Sequence, residues 1–291
     1  MKVLITGARG FVGKNLQLHL AERKDVQVVC FTRGDGVEQL PTLLQGVDFV
    51  FHLAGVNRPQ DPQEFATGNA ELAQSLCRAV CAVAESTGRK VPVVYTSSTQ
   101  AGFDNPYGRS KRGAEEALQA AARSHGIPVH LFRLPNVFGK WCRPNYNSAV
   151  ATFCHNISRG LPIQVNDPAA PVTLVYVDDV IERFVQLMDG ADAVVNTDGF
   201  ATVAPQYATT VGELARQIQS FRDSRSTGTR AVCSSRCSRR RTPASSRFLP
   251  RTRASRGAAT TTTARPRSSW SSRGRRASSS GTCTPAKPMS W

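Results

Sequence analysis

The feature that most constrains the fold of this 291-residue chain is a glycine-rich turn near its amino terminus. The apolar run 3–6 leads directly into the segment GARGFVG, which contains Gly7, Gly10 and Gly13. Glycines permit a tight turn and a close approach of backbone amides to a ligand, and a following helix adds partial positive charge. A strand, this turn and a helix in succession predict a dinucleotide-binding fold, the alternative being a purely structural turn.

Apolar runs typical of strands alternate with helical patterns through most of the chain. Strands are predicted at 3–6, 26–32, 48–54, 91–97, 129–134 and 172–177, and helices at 13–23, 70–85, 106–125, 180–188 and 211–221. Continuous apolar strands separated by helices predict a parallel sheet covered on both faces, which is a doubly wound α/β (Rossmann) fold. We expect a Rossmann core at 1–139, a small substrate-binding region at 140–221 and a tail at 222–291.

The net charge of +16 belongs almost wholly to the tail. Residues 1–227 carry 22 Lys and Arg against 21 Asp and Glu, whereas residues 228–291 carry 15 basic residues and no acidic one. The first part is therefore nearly neutral, and no nucleic-acid surface is predicted there. The Arg, Ser, Thr and Ala of the tail offer little apolar surface to offset chain entropy, so disorder and non-specific binding of polyanions are expected.

The end of the second predicted strand indicates which dinucleotide is bound. An NAD enzyme usually places Asp or Glu there to bind the ribose hydroxyls. This chain has Thr32 and Arg33, with no acid until Asp35. Arg33, together with Arg9 of the glycine turn, is suited to bind a 2′-phosphate through charge-assisted hydrogen bonds. The sequence thus favours NADP(H), the alternative being that Arg33 is a solvated loop residue.

A candidate catalytic set follows the fourth predicted strand. Tyr107 and Lys111 form a Y-x-x-x-K pattern at the start of a helix, where four-residue spacing places both on one face. A nearby cation lowers the pKa of a phenol, so Tyr107 is expected to donate a proton to a carbonyl that accepts hydride. Lys111 is also expected to bind the nicotinamide ribose, and Ser98 to hydrogen-bond the substrate oxygen.

With these motifs in place, the sequence resembles the extended short-chain dehydrogenase/reductase family over about residues 1–221. The further motifs are HLAG at 52–55, RLPNVFG at 133–139 and YVDDV at 176–180. The motifs already give Gly7, Arg9, Gly10, Gly13, Thr32 and Arg33 as cofactor contacts. The resemblance implies further contacts at Phe11, Val12, Leu53, Ala54, Gly55, Pro135, Asn136 and Val137.

Subtypes within that family differ at positions that this chain allows us to compare. The 4,6-dehydratases carry an acidic pair after the catalytic Thr, whereas the segment TSSTQ at 96–100 contains no acid. The 4-epimerases are NAD enzymes with an acidic end to the second strand, which is also missing here. The resemblance therefore favours a reductase that exchanges NADPH, with no metal ion.

Two longer segments resemble a narrower group, the bifunctional capsule-precursor enzymes that make UDP-N-acetyl-L-fucosamine. These segments cover residues 98–111 and 133–167. The resemblance implies reduction of the C-4 carbonyl of a UDP-2-acetamido-2,6-dideoxyhexos-4-ulose. Candidate contacts to the sugar and diphosphate are Lys140, Trp141, Arg143, Asn145 and Asn147, each of which could equally be a packing or surface residue.

The enzymes of this group carry a C-terminal cupin barrel with histidine metal ligands, and the tail resembles that domain read out of frame. Every Thr codon is ACN, so moving the frame back one base converts the run TTTT at 260–263 into His, Tyr, Asn or Asp. The same shift makes the run SWSS at 269–272 apolar. An out-of-frame remnant of a cupin is thus our hypothesis for the tail, and a genuine basic arm is the alternative.

Three functions remain open from the sequence. The favoured one is an NADPH-dependent nucleotide-sugar 4-ketoreductase; the others are an NAD-dependent 4-epimerase and a non-catalytic NAD(P)-binding module. No apolar run approaches the roughly 18 residues of a membrane span. The eight cysteines contain no C-x-x-C pair, which favours free thiols in a reducing cytoplasm. The expected partner is a UDP-sugar, together with a second copy of the chain in a homodimer.

Overall fold

The computed structural model describes residues 1–226 except 58, 60, 62 and 147. Its main element is a five-stranded parallel sheet in the order β2-β1-β3-β4-β5. The strands are β1 (Lys2–Thr6), β2 (Gln27–Phe31), β3 (Phe49–His52), β4 (Val93–Ser98) and β5 (Val129–Leu134). From β1 the chain adds β2 on one side and then β3, β4 and β5 on the other, so the order of the strands reverses between β1 and β3. Doubly wound sheets bind ligands at the carboxyl ends of the strands that flank this point.

Helices cover both faces of this sheet. They are α1 (Phe11–Ala21), the short α2 (Leu40–Leu43), α3 (Leu72–Thr87), α4 (Pro106–His125) and α6 (Val177–Met188). Alternate residues of each strand point to opposite faces. Leu4 accordingly packs with residues of α3 and α4, while Val3 and Ile5 pack with residues of α1 and α6. The predicted doubly wound α/β fold is confirmed.

The local sequence determines where the long helix α4 begins and ends. Asn105 caps its first turn by accepting a hydrogen bond from the Gly108 backbone N–H at 2.7 Å, and Pro106 occupies the first position. Gly126 ends the helix in the left-handed conformation with φ of 64°. Tyr107 therefore lies in a well-defined first turn of α4, and Lys111 lies in the turn that follows.

A smaller three-stranded sheet forms the second part of the fold. Its strands are β6 (Asn136–Phe138), β7 (Pro171–Tyr176) and β8 (Tyr207–Thr210), in the order β6-β7-β8. The helices α5 (Ala149–Ser158) and α7 (Val211–Ser226) complete this part and share a small core that includes Phe153 and Leu214. This sheet begins four residues before the predicted boundary at 140.

Two sequence predictions concern the end of the last helix and the tail that follows it. The last helix runs to Ser226, beyond the predicted end at 221. The predicted tail from residue 227 onwards lies outside the described residues. In the described part of the chain, no helix combines the length and apolar character needed to cross a bilayer.

Candidate active site

The glycine turn follows β1 at the carboxyl edge of the main sheet. Gly7 has φ of 72°, a conformation that L side chains rarely adopt, and its N–H donates to Phe31 O at 3.2 Å. A Cβ at Gly7 would lie 2.5 Å from Ala54 N. The turn therefore packs directly on the segment after β3, which only glycine allows.

The first turn of α1 offers unpaired backbone donors. Gly10 precedes the helix without a capping side chain. The N–H groups of Phe11, Val12 and Gly13 consequently have no acceptor within the helix. Together with the helix dipole, they form an anion-binding end suited to a pyrophosphate. Arg9 and Gly10 are exposed at this end.

Thr6 and His52 join the ends of β1 and β3 behind this turn. Thr6 Oγ1 lies 2.7 Å from His52 Nδ1 and accepts from Ala54 N at 3.2 Å, while Thr6 O accepts from Leu53 N at 3.2 Å. The predicted residues Leu53, Ala54 and Gly55 are thus held beside the glycine turn. Nothing in the sequence pattern shows that Thr6 and His52 make this contact.

The end of β2 carries the residues expected to select the dinucleotide. Asp35 accepts two hydrogen bonds from Thr32, from its N–H at 2.7 Å and from Oγ1 at 2.9 Å. These bonds lower the pKa of Asp35 and hold its carboxylate towards Thr32. Arg33 is exposed, and the charge of Arg9 reaches both Asp35 and Cys30. Arg9 and Arg33 therefore both lie at this end of β2.

Ser98 and Tyr107 meet across a short, internally bonded loop. Ser98 ends β4, its hydroxyl accepts from Gln100 N at 3.2 Å, and it hydrogen-bonds the Tyr107 side chain. The Tyr107 ring packs 5.7 Å from Phe65, measured between centroids. The hydroxyl and the phenol are thus adjacent at the carboxyl edge of the sheet, as the sequence predicts.

Lys111 lies one helical turn beyond Tyr107 and is buried. Its Nζ donates to Thr96 O at 2.9 Å and lies 5.0 Å from the centroid of the Tyr95 ring and 6.0 Å from that of Tyr107. Burial lowers the pKa of Lys111 to about 8, although the charge of Glu115 acts in the opposite direction. A Cβ at Gly55 would lie 3.0 Å from Lys111 Nζ, so Gly55 leaves room for the ammonium beside the glycine turn.

The expectation that Lys111 lowers the pKa of Tyr107 is wrong for this geometry. Burial raises the pKa of Tyr107, and the opposing effect comes from the Ser98 hydrogen bond. The ammonium faces the ring and the Thr96 carbonyl, so its field does not dominate at the phenol oxygen. At neutral pH, Tyr107 is therefore protonated, which is the form that a proton donor requires.

Asn69 organises the floor of the site and was missed in the sequence. It lies in a π-helical segment, Ala66–Glu71, that precedes α3. Its side chain donates to Val56 O at 3.0 Å and to Ser110 Oγ at 2.9 Å, and it accepts from Val56 N at 2.9 Å. Asn69 thus ties the segment after Gly55 to α4 between Tyr107 and Lys111. In the sequence Asn69 directly precedes the predicted helix 70–85, and nothing local signals this role.

Pro135, Asn136 and Val137 lie between the two sheets of the fold. Pro135 separates β5 from β6, and Asn136 and Val137 pair in parallel with Leu174 and Val175 of β7. The side chain of Asn136 is exposed and donates to Thr173 O at 3.3 Å. This segment therefore leads from the end of β5 into the smaller sheet.

The predicted substrate residues occupy the loop after β6. Trp141 and Asn145 both have positive φ, 64° and 55°, a left-handed conformation that is uncommon for Trp and less so for Asn. Trp141 is 51% exposed, and Arg143 is also exposed. Lys140 forms an ion pair with Asp178 at 3.0 Å. Asn147 lies outside the described residues.

Tyr146 in the same loop brings this segment towards the catalytic pair. The charge of its phenolate would raise the pKa of Tyr107, which places the two side chains in each other's field. Tyr146 lies between the predicted substrate residues Asn145 and Asn147 but was not itself predicted. The loop therefore comes close enough to Tyr107 for the charge of Tyr146 to act on it.

One testable consequence concerns the buried His52. Burial lowers its pKa to about 3, against about 6.5 in an unfolded chain. Its contribution to stability is therefore fully present above pH about 6.5 and is lost as pH falls towards 3, with a slope of up to about 1.4 kcal/mol per pH unit.

The variant His52→Gln lacks the imidazole that takes up a proton on unfolding. Urea unfolding at about pH 7.5 and about pH 5 should show a smaller stability difference between the two proteins at the lower pH. A difference that stays constant with pH would contradict this.

A nicotinamide dinucleotide fits these residues. The glycine turn and the start of α1 can hold a pyrophosphate, the Leu53–Gly55 segment lies alongside, and the ammonium of Lys111 faces the glycine of that segment. The fit rests on the N–H groups at the start of α1, which have no acceptor within the helix, and on Gly7 and Gly55, which let the glycine turn, the segment after β3 and Lys111 pack closely together.

Comparison with known proteins agrees with this arrangement. Residues 3–200 match the model of the NAD dependent epimerase/dehydratase family. The chain belongs to this family, which uses a nicotinamide cofactor.

Two relatives are similar over most of the chain. The chain is 58% identical over 231 residues to the UDP-2-acetamido-2,6-beta-L-arabino-hexul-4-ose reductase of Pseudomonas aeruginosa, covering 79% of this chain and 60% of that protein. It is 37% identical to the crystal structure of the capsular polysaccharide assembling protein CapF from Staphylococcus aureus, with a TM-score of 0.64, covering 77% of this chain and 58% of that chain. The chain therefore spans about 60% of the length of these relatives.

A third comparison concerns the fold alone. UDP-glucose 4-epimerase from Thermotoga maritima superposes with a TM-score of 0.64 at 23% identity, covering 76% of this chain and 82% of that chain. The same doubly wound architecture thus recurs in a distant relative.

Proposed function

We propose that the chain is an NADPH-dependent reductase of the C-4 carbonyl of a UDP-2-acetamido-2,6-dideoxyhexos-4-ulose. The observation that carries the proposal is the meeting of Ser98, Tyr107 and Lys111 beside the glycine turn. The 58% identity to a protein named as a reductase of such a sugar supports the substrate class.

The residues divide the work of reduction between them. The glycine turn and the start of α1 would hold NADPH, which would supply the hydride that C-4 accepts. Tyr107 Oη donates its proton to the carbonyl oxygen, which becomes the C-4 hydroxyl. Ser98 donates a hydrogen bond that orients that oxygen and stabilises the charge that develops on it. Lys111 binds the nicotinamide ribose and provides positive charge beneath the site.

The loop after β6 is proposed to hold the sugar and the diphosphate. Arg143 is exposed there and suits a phosphate, and the exposed Trp141 offers an apolar face. Lys140 has a carboxylate partner, Asp178, and so contributes less free charge. Asn145 and Asn147 complete the proposed set of substrate contacts.

The same residues distinguish reduction from the rival chemistry of the family. Elimination of water requires a base after Thr96, and the positions up to Gln100 are Ser, Ser and Thr. A 4-epimerase with bound NAD is the second candidate. The exposed Arg33, with Arg9 near the end of β2, favours the 2′-phosphate of NADP(H) over the ribose hydroxyls of NAD.

Replacing both arginines tests the choice of dinucleotide. In Arg9→Gln/Arg33→Gln, the Kd for NADPH should rise roughly 100-fold, because two charge-assisted hydrogen bonds to the 2′-phosphate are lost. The Kd for NADH should hardly change. Both are measured by the fluorescence of the reduced nicotinamide. Lys24→Gln, which removes one exposed charge before β2, is the control for the loss of a surface charge. Equal weakening for both cofactors would contradict the proposal.

The experiment for the function itself follows cofactor consumption. The full chain is mixed with NADPH and the 4-keto sugar, and the loss of reduced nicotinamide absorbance is compared with product formed. We expect one NADPH consumed per sugar. Conversion of the sugar without consumption of NADPH would favour the 4-epimerase, and cofactor binding without conversion would favour a non-catalytic module.

We further propose that the chain works in the cytoplasm as a homodimer. Five cysteines, Cys30, Cys77, Cys81, Cys142 and Cys154, are free thiols in the described part of the chain, which suits a reducing compartment. A shallow groove between α3 and α4, lined by small residues such as Ala117 and Ala121, is a suitable contact for a second copy. The molar mass of the purified full chain in solution checks the dimer.

For the tail we propose translation from a shifted reading frame of a cupin-coding segment. The composition of residues 228–291 and the greater length of the relatives support it. The coding DNA, read one base back, should then encode a histidine cluster followed by an apolar strand. If that frame contains stop codons instead, the tail is a genuine basic arm. The tail itself lies outside the described residues.

A further inference from the structure

The buried carboxylate of Glu115 lies one helical turn behind Lys111 and connects three elements. It is 2% exposed. Arg133 of β5 forms two hydrogen bonds with it, from Nε to Oε1 at 3.0 Å and from Nη2 to Oε2 at 2.7 Å. The hydroxyl of Ser97 in β4 donates to the same Oε1. One carboxylate thus ties α4 to the carboxyl ends of β4 and β5.

The point at which Glu115 holds β4 lies between two residues of the site. Ser97 is flanked by Thr96, whose carbonyl accepts from Lys111, and by Ser98, which hydrogen-bonds Tyr107. Any shift of β4 along α4 would therefore change both contacts together. A bidentate carboxylate–guanidinium pair fixes geometry more strictly than a single hydrogen bond. The Arg133 guanidinium is itself held over the Phe200 ring at 3.8 Å.

The charges around Lys111 give Glu115 a second effect. From β3 Lys111 faces His52, whose low pKa of about 3 leaves it neutral. From β4 it faces Tyr95, whose pKa is raised well above its ordinary value by burial. Tyr107 of α4 is likewise neutral, and the positive charge of Arg133 on β5 is paired with Glu115. Among the described residues, Glu115 is the anion whose charge opposes the effect of burial on Lys111.

We propose that Glu115 is a positioning residue of the reductase site, which sets the register of Ser98, Tyr107 and Lys111 and keeps the Lys111 ammonium charged. The inference rests on the proposed function for its effect on turnover, but its effect on cofactor binding is independent of any sugar. Glu115 itself touches no reacting atom. It acts through Ser97 and through its field at Lys111.

The test compares three variants of the full chain. Glu115→Gln removes the charge and weakens the pairing with Arg133. Ser97→Ala removes the link to β4 but leaves the ion pair. Glu116→Gln removes the neighbouring exposed charge of α4 and is the matched control. For each variant, the Kd for NADPH is measured from about pH 6 to about pH 10, together with kcat and KM for the 4-keto sugar.

The expected results separate the effect of Glu115 on the charge of Lys111 from its effect on the position of β4 against α4. Wild-type affinity for NADPH should fall as pH rises through the pKa of Lys111, which is about 8. In Glu115→Gln this fall should move to lower pH by about one unit, and kcat should drop roughly tenfold with a smaller change in KM. Ser97→Ala should lower kcat while leaving the pH of the fall unchanged. Glu116→Gln should match the wild type in both.

Two results would overturn the inference. One is a folded Glu115→Gln protein with an unshifted fall in NADPH affinity. The other is a Ser97→Ala protein with wild-type kcat. If Glu115→Gln does not fold, Glu115→Asp retains the charge and Ser97→Ala still tests the register. If no sugar is reduced even by the wild type, the proposed function fails, while the NADPH affinities still decide whether Glu115 controls Lys111.

Discussion

Replacing Tyr107 by Phe is expected to lower kcat by roughly 10²- to 10⁴-fold while leaving the fold and NADPH affinity almost unchanged. The phenol is the proposed proton donor, hydrogen-bonded to Ser98 at the end of β4, and Phe keeps the ring that packs against Phe65. The measurement is the rate of NADPH oxidation with the 4-keto sugar, alongside a titration of NADPH binding.

The matched control for Tyr107→Phe is Tyr207→Phe. Tyr207 lies in β8 and is half exposed, far along the chain from the predicted catalytic residues. It loses the same hydroxyl without touching the site. Turnover that survives in Tyr107→Phe at the wild-type rate would remove Tyr107 from the chemistry and favour a different proton donor.

Replacing Gly7 by Ala is expected to abolish dinucleotide binding and to lower the free energy of unfolding by at least about 3 kcal/mol. Two costs add at this position. The left-handed φ of 72° strains any L side chain, and the new Cβ would lie 2.5 Å from Ala54 N, so the segment after β3 must move. Urea unfolding and NADPH titration measure the two effects.

Gly46 provides a control that separates the backbone strain of a positive φ from the collision of the new Cβ. Its φ of 69° is nearly that of Gly7, but no heavy atom lies within 4 Å of a Cβ built there. Gly46→Ala should therefore show the backbone strain alone, about 1 kcal/mol, with NADPH binding unchanged. If Gly7→Ala is no worse than Gly46→Ala, the contact between the glycine turn and the Leu53–Gly55 segment is not what requires glycine.

The parts of the fold that sequence predicted well have strong local signals. The bounds of α4 were predicted at both ends, because Pro106 and Gly126 are a clear start and stop. The strands of the main sheet were placed within about two residues from their apolar runs. The same pattern predicts that Ser98 and Tyr107 belong to one site, because Ser98 follows the fourth predicted strand and Tyr107 begins the next helix.

The parts that sequence did not predict depend on contacts between distant residues. Glu115 and Arg133 were each visible, but nothing local shows that they pair or that Ser97 joins them. The π-helical segment around Asn69 follows from its bonds to Val56 and Ser110 rather than from periodicity. The pKa of Tyr107 was misjudged for the same reason, since burial is a property of the folded chain.

The most direct test of the central claim follows the hydride. The full chain is incubated with the UDP-2-acetamido-2,6-dideoxyhexos-4-ulose and NADPH deuterated at the transferable position, and the sugar product is examined by mass spectrometry and NMR. The account predicts one deuterium, bound to C-4, in every product molecule. A product without deuterium, or an epimerised 4-keto sugar with NADPH intact, would contradict it.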